Sequence, residues 1–286
     1  MKVIFSPKCL EYRSPNHPES PERIKICYDF LVSKKDSLSL EFIEPKPCSE
    51  EAILLVHTKE LLEKVRYGIF FDPDTPNISD VFEYASLSVG AAIKAAQVTL
   101  DEKRFAFFLM RPPGHHAGKN SLGGFCYFNN MAIAIKRSLE KIKKAAILDL
   151  DCHHGNGTED IFLGISNVLY VSLHQSPLYP GTGLVSRKNC LNFPLGSGTD
   201  EKKYLSVLKV ALEEIKIFKP DITGVSMGFD TYIDDPLANI KLVSSSYLKI
   251  SQLICGLEMP AFSILEGGYS QGIGECLYNF LKGWEV

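Results

Sequence analysis

Asp149, Asp151 and His153 stand two residues apart where the apolar run 145–150 ends, in the string Asp149-Leu150-Asp151-Cys152-His153-His154-Gly155-Asn156-Gly157. In extended chain alternate side chains share a face, so all three are expected to point the same way. Two neighbouring carboxylates at the end of an apolar run are costly to ionise together, and a cation between them removes that cost. Asp230 closes a second apolar run, behind Gly228, whose missing side chain lets another backbone approach. Asp151, His153 and Asp230 would then supply two oxygens and one nitrogen. Such a set suits Zn²⁺ with one position open for water and would also accept Fe²⁺. The competing reading is an Asp pair that caps the next turn, with His153 packed in the core.

His115 and His116 follow Pro112-Pro113-Gly114. An imidazole beside an activated water can take its proton and later protonate a leaving amine. Asp149 is placed to orient one ring and Asn156 the other. Tyr269, behind Gly267-Gly268, can offer its phenol to a carbonyl oxygen as that oxygen becomes an oxyanion. Taken alone, a histidine pair or a tyrosine on a turn is more simply read as packing; their shared setting argues for chemistry.

Those segments need a scaffold that brings them together. Short apolar runs at 105–110, 145–150, 168–173, 222–227 and 261–265 read as buried strands, each too short for a helix and closed by Gly, Pro or polar residues. Helical patterns separate them at 81–100, 130–143 and 201–218, the last with a Thr199-Asp200 cap signal and a stop at Pro220. The alternation predicts an α/β protein with a largely parallel sheet. The stretch 174–199, rich in Pro, Gly, Ser and Asn, reads as an irregular surface excursion of the kind that usually carries function. The unusual polar residues all follow predicted strands, and ligands of open α/β sheets bind outside the carboxyl ends of the strands.

Composition excludes other classes. With 286 residues, 45% hydrophobic, the chain can bury a large core, and neither repeats nor low-complexity tracts interrupt it. A formal net charge of −3 argues against direct nucleic-acid binding, and no apolar stretch is long enough to span a membrane. Eight cysteines without a C-x-x-C pair, behind an N-terminus without a signal-peptide pattern, read as reduced thiols of a cytoplasmic protein.

Together the strings Arg111-Pro112-Pro113-Gly114-His115-His116-Ala117, Gly124-Phe125-Cys126-Tyr127-Phe128-Asn129-Asn130, 149–158, Pro180-Gly181-Thr182-Gly183, Gly228-Phe229-Asp230 and Glu266-Gly267-Gly268-Tyr269 resemble the histone deacetylase family, which includes bacterial and archaeal deacetylases and acetylpolyamine amidohydrolases. The resemblance runs over roughly residues 1 to 275 and implies one catalytic domain, 1–286, of the arginase/deacetylase fold: α/β, with helices flanking a central eight-stranded parallel sheet. It implies Zn²⁺ on Asp151, His153 and Asp230. His116 would be the main general base and acid, His115 a charged partner held by Asp149, and Tyr269 the group that polarises the acetyl carbonyl. Phe125 and Tyr179 would flank the methylene chain, and Gly124 would offer its carbonyl. Structural K⁺ would take Asp149, Asp151, His153, Ser172 and Leu173, with a looser second mapping on Phe162, Ile165 and Val168. Arg23 matches an internal-channel arginine, and Asp74 a rim aspartate that holds the substrate backbone.

The departures bear on substrate. Asn156 stands where class I members carry Asp, which with Glu266 and Phe229 points to a class II-like branch. Tyr179 replaces the Phe of many members and leaves acyl preference open. Leu237 occupies a gatekeeper position that is Glu in a polyamine-selective relative, which tilts the expected substrate toward acetyl-lysine on a peptide or protein. An acetylpolyamine or other small acyl amine is the alternative, and a non-catalytic acyl-amine-binding protein a further one. The sequence says nothing of oligomeric state.

Overall fold

The five apolar runs form the middle of one sheet. A computed structural model describes residues 1–34 and 37–285. Its strands are β1 (Lys2–Ile4), β2 (Glu41–Ile43), β3 (Ala106–Phe108), β4 (Ala145–Asp149), β5 (Val168–Gln175), β6 (Cys190–Leu195), β7 (Ile222–Met227) and β8 (Ala261–Leu265). They pair in the order β2-β1-β3-β8-β7-β4-β5-β6, every pair parallel. The central strands β4, β5, β7 and β8 are buried along their whole length, as a sheet covered on both faces requires.

The helices are α1 (Pro21–Ser33), α2 (Glu50–Ile53), α3 (Lys59–Tyr67), α4 (Val81–Glu102), α5 (Asn130–Ser138), α6 (Asn156–Phe162), α7 (Glu201–Phe218), α8 (Ser246–Cys255) and α9 (Ile273–Lys282). They pack in two groups, α4 with α5, and α1, α9, α8 and α7 in series. Within α4, a run of small residues (Ala85, Ser86, Ser88, Gly90, Ala91, Ala92, Ala95, Ala96) is buried and permits close packing. At Gly90 an added Cβ would strike the Lys46 carbonyl. The result is a single α/β domain around an all-parallel eight-stranded sheet.

Two sequence expectations need correction. The excursion 174–199 is not irregular throughout. β5 runs on to Gln175, and β6 adds an edge strand, Tyr170 opposite Cys190 through Gln175 opposite Leu195. Pro194 is tolerated in β6 because an edge strand has a side with no neighbour to bond. The helix expected over 130–143 stops at Ser138, where the chain turns toward β4 and Ile142 packs on the core from a non-helical position.

Candidate active site

β4, β7 and β8 end at one edge of the sheet, and the register sets Asp149 beside Ser226 of β7 and Ser172 of β5. The chain past each end supplies a functional segment: 151–156 after β4, 228–230 after β7, 266–269 after β8. The segment 109–116 follows β3 on the same side, and its His115 reaches Asp149.

Asp151, His153 and Asp230 converge. One potential donor atom from each lies within 4.8 Å of the others. His153 Nδ1 is 3.0 Å from Asp151 Oδ1 and 2.9 Å from Asp230 Oδ2, and both aspartates are buried. Backbone amides hold the carboxylates. Asp151 accepts from Gly267 N at 2.7 Å and His153 N at 2.9 Å, and Asp230 accepts from Cys152 N at 2.8 Å. Burial, followed by the Asp151 charge, pushes Asp230 well above the ordinary carboxylate range. A Cβ on Gly228 would meet Asp151, and one on Gly267 would meet both aspartates, so glycine keeps this cradle open. Two buried carboxylates and an imidazole in such a space fit a divalent ion, and the mixed oxygen and nitrogen set fits Zn²⁺ or Fe²⁺.

The two histidines are oriented differently. His115 Nδ1 lies 3.2 Å from Asp149 Oδ2, a carboxylate that also accepts from the Tyr170 hydroxyl at 3.0 Å. Burial lowers the basicity of His115, yet Asp151, Asp149 and Glu266 more than offset this and raise it to about 10. His116 Nδ1 instead donates to the amide oxygen of Asn156 at 2.8 Å, which leaves Nε2 free. Burial first, then the neighbouring His115 and His153, hold His116 well below the ordinary histidine value. One ring is thus kept charged and the other neutral, with centroids 4.0 Å apart.

A cavity of about 230 Å³ leads down to these groups. Phe125, Leu178, Tyr179 and Tyr269 line it together with His115, His116 and His153, and so do Asp74 and Leu237. Gly124 adopts φ +54°, and a Cβ there would collide with the His116 ring, so glycine is required for the tunnel wall to lie against the imidazole. The Gly124 carbonyl accepts from the Cys126 thiol at 3.3 Å. Tyr269 packs edge-on to Phe125, and the Arg23 guanidinium lies 4.7 Å from its ring centroid. Burial pushes its phenol well above the ordinary tyrosine value, so the phenol stays protonated as a donor.

Other sequence-predicted residues take varied positions. Arg23 lies beneath the tyrosine turn and donates to the carbonyls of Gly268 at 2.6 Å and Glu266 at 2.5 Å. The Asp74 carbonyl is 3.0 Å from His17 Nε2. Ser172 Oγ pairs with His174 Nδ1 at 2.8 Å, and Leu173 is buried beside it. The looser K⁺ mapping meets a competitor. The Asn189 side-chain amide donates to the carbonyls of Phe162 at 2.9 Å and Val168 at 2.8 Å, while the Ile165 carbonyl accepts from Val168 N.

Sequence reasoning gave no role to two buried acids, Asp235 and Glu266. Asp235 accepts from Tyr269 N at 2.7 Å and Leu237 N at 2.9 Å, tying the tyrosine turn to the segment that carries Leu237. Glu266 accepts from the backbone of the histidine segment. Their partners are main-chain amides, which leave no mark in side-chain type or spacing. The available signals were the place of Glu266 within a motif and of Asp235 near Leu237.

The profile of the histone deacetylase domain matches residues 17–283. The chain belongs to the histone deacetylase family. As a member of that family it is a hydrolytic deacetylase, and its fold is of the arginase/deacetylase type. A protein of Archaeoglobus fulgidus named probable deacetylase is 36% identical to this family member, over 94% of this chain and 81% of its own. Acetylpolyamine amidohydrolase 2 of Pseudomonas aeruginosa is 36% identical, over 77% of this chain and 68% of its own. The crystal structure of the HDA15 HD domain superposes with a TM-score of 0.93 at 30% identity, covering 99% of this chain and 90% of that one. Among the described residues of this family member, no helix is long and apolar enough to cross a membrane.

Proposed function

We propose that this chain is a metal-dependent amidohydrolase, one catalytic unit over 1–286, that removes an acetyl or similarly small acyl group from a primary amine on an aliphatic chain. The observation that carries this reading is the pairing of a buried Asp151, His153, Asp230 cluster with two histidines, one held by Asp149 and one by Asn156, that line the same cavity as His153. Asp151, His153 and Asp230 would hold Zn²⁺, or Fe²⁺ in its place. When bound, the ion supplies Lewis acidity to the acyl carbonyl and to the attacking water.

The protein's own groups do the rest. His116 takes the proton of the attacking water at Nε2, because Nδ1 is committed to Asn156. Tyr269 donates its hydroxyl proton in a hydrogen bond to the carbonyl oxygen as negative charge develops there. His115, held by Asp151 and Asp149, opposes the negative charge gathering in the site. The proton then passes from His116 to the departing amine. Phe125 and Tyr179 confine the methylene chain and exclude water around the amide, with Gly124 and Leu237 completing the passage and Asp74 at its border. We assign structural K⁺ to the Asp149, Asp151, His153, Ser172 and Leu173 segment, and a cytoplasmic location to the protein.

The substrate class we favour is an acetylated polyamine or another small acyl amine. The sequence expectation leaned toward acetyl-lysine on the strength of Leu237. Relatives named acetylpolyamine amidohydrolase, at 36% to 39% identity, support the small-amine alternative better. Acetyl-lysine stays as the second reading because Leu237 borders the cavity and presents no charge to a distal ammonium. A turnover panel on Zn²⁺-loaded protein separates the two. Higher kcat/KM on acetylputrescine or acetylspermidine than on an acetyl-lysine peptide is expected; the reverse order would transfer the assignment to acetyl-lysine. Absence of turnover on every acyl amine would remove the enzymatic reading.

A further inference from the structure

The carboxyl of Glu266, just past the end of β8, is fully buried and is used by no step above. Its Oε2 accepts from Gly114 N at 2.8 Å and from His115 N at 3.3 Å, on a segment about 150 residues away. Its Oε1 accepts from Ser226 Oγ of β7 at 3.0 Å. No lysine or arginine pairs with this carboxyl among the described residues. A buried acid that no lysine or arginine pairs is costly, and an apolar or smaller residue would be cheaper unless its acceptors are needed where they stand. They are needed. Both amides belong to an irregular segment that has no strand neighbour to bond them. Neighbouring atoms extend the connection: the Glu266 carbonyl accepts from Arg23, and Gly267 N donates to Asp151.

We infer that Glu266 is a positioning residue whose carboxyl clamps the 114–115 backbone against the ends of β7 and β8. His115 and His116 are thereby held at a fixed place relative to Tyr269, three residues further along the same turn. The inference rests on the proposed deacylase reading, in which histidine and tyrosine must meet one carbonyl together. A displacement of about 1 Å in such a constellation is enough to cost on the order of 100-fold in rate.

Two variants of the full chain separate reach from charge. Glu266→Gln keeps the reach: its amide oxygen can accept both N–H groups while its NH₂ donates to Ser226 Oγ. Glu266→Asp keeps the carboxyl but is one methylene short. With Zn²⁺-loaded protein and acetylputrescine, or an acetyl-lysine peptide if the parent prefers it, Glu266→Gln should hold kcat within about threefold. Glu266→Asp should lower kcat by on the order of 100-fold, with KM and metal per chain within about twofold. In metal-free protein, the Gly114 and His115 amide proton resonances should move upfield in the Asp variant and stay within the hydrogen-bonded range in the Gln variant. Parent-like kcat in Glu266→Asp, or an equal loss in Glu266→Gln, would overturn the inference, as would losses confined to KM or metal content. Should the Asp variant not fold, Ser226→Ala removes one anchor of the carboxyl; a severalfold drop in kcat at constant KM supports the clamp, and an unchanged kcat refutes it. If the parent turns over no acyl amine, the deacylase reading fails while the amide resonances still report whether the clamp exists.

Discussion

Burial and two neighbouring imidazoles favour the neutral form of His116, and the group that faces its Nδ1 does too little to reverse this. Asn156 accepts a hydrogen bond but carries no charge, and with Asp151 it falls short of offsetting burial and the two nearby imidazoles. A carboxylate in the same place would favour the imidazolium form. Asn156→Asp is therefore expected to raise the His116 pKa and move the acidic limb of the kcat/KM profile to higher pH, since a base must be deprotonated to act. An unmoved limb in a pH-rate series would mean that another group sets it. His116→Ala removes the base itself and should lower kcat by roughly 10²- to 10⁴-fold while leaving bound metal unchanged, because His116 is not among the three converging donors. Steady-state kinetics with metal analysis of the same sample checks both halves.

At the scale of elements, legibility in the sequence tracked position in the sheet. The five runs recognised as strands are β3, β8, β7, β4 and β5, five neighbours in the middle of the order. Strands covered on both faces must be apolar throughout, which is the pattern that composition reveals. β1 and β2 have three residues each, and β6 carries Asn192 and Pro194, so the margins have no such signature. Side-chain donors at strand ends were legible for the same reason: they interrupt apolar runs. Acids that hold remote segments, Asp235 and Glu266 through backbone amides and Glu19 through buried arginines, were not. Glu19 pairs with Arg111 through both oxygens at 2.7 Å, and with Arg23 at 3.1 Å, behind the histidine segment. Burial alone would raise its pKa, but Arg111 and then Arg23 hold it down to about 2, below the ordinary 4.5. A depressed carboxyl contributes stability that is present above about pH 4.5 and lost as pH falls toward 2. Glu19→Gln should destabilise the fold by about 3 to 5 kcal/mol at neutral pH, since it leaves Arg111 buried with half its partner. It should also flatten the loss of stability between pH 4.5 and 2. Urea midpoints measured across that range test the claim, and a variant with the parent's acid slope would refute it.

The whole molecule concentrates negative charge where its sheet ends. Asp149, Asp151, Asp230, Asp235 and Glu266 are all buried there, and Asp151 and Asp230 approach one another through the His153 ring. Folding must desolvate these acids together, and a divalent cation would offset that cost further than His115 and His153 do. Metal binding and folding are then linked, because the unfolded chain offers no assembled donor set. With free metal at about 1,000 times its Kd, the linkage contributes about 4 kcal/mol. At roughly 2 °C per kcal/mol for a chain of this size, chelation should lower Tm by about 8 °C. A stabilising ion could instead act on loops or surface charge, and Asp230→Asn distinguishes these. The amide can still accept from Cys152 N but removes one of the two opposed charges. Metal-free Asp230→Asn should therefore melt above the metal-free parent, and its Tm should respond little to added Zn²⁺. Equal melting of loaded and chelated parent, or a metal-free variant less stable than the metal-free parent, would show that the acids are reconciled by the protein alone.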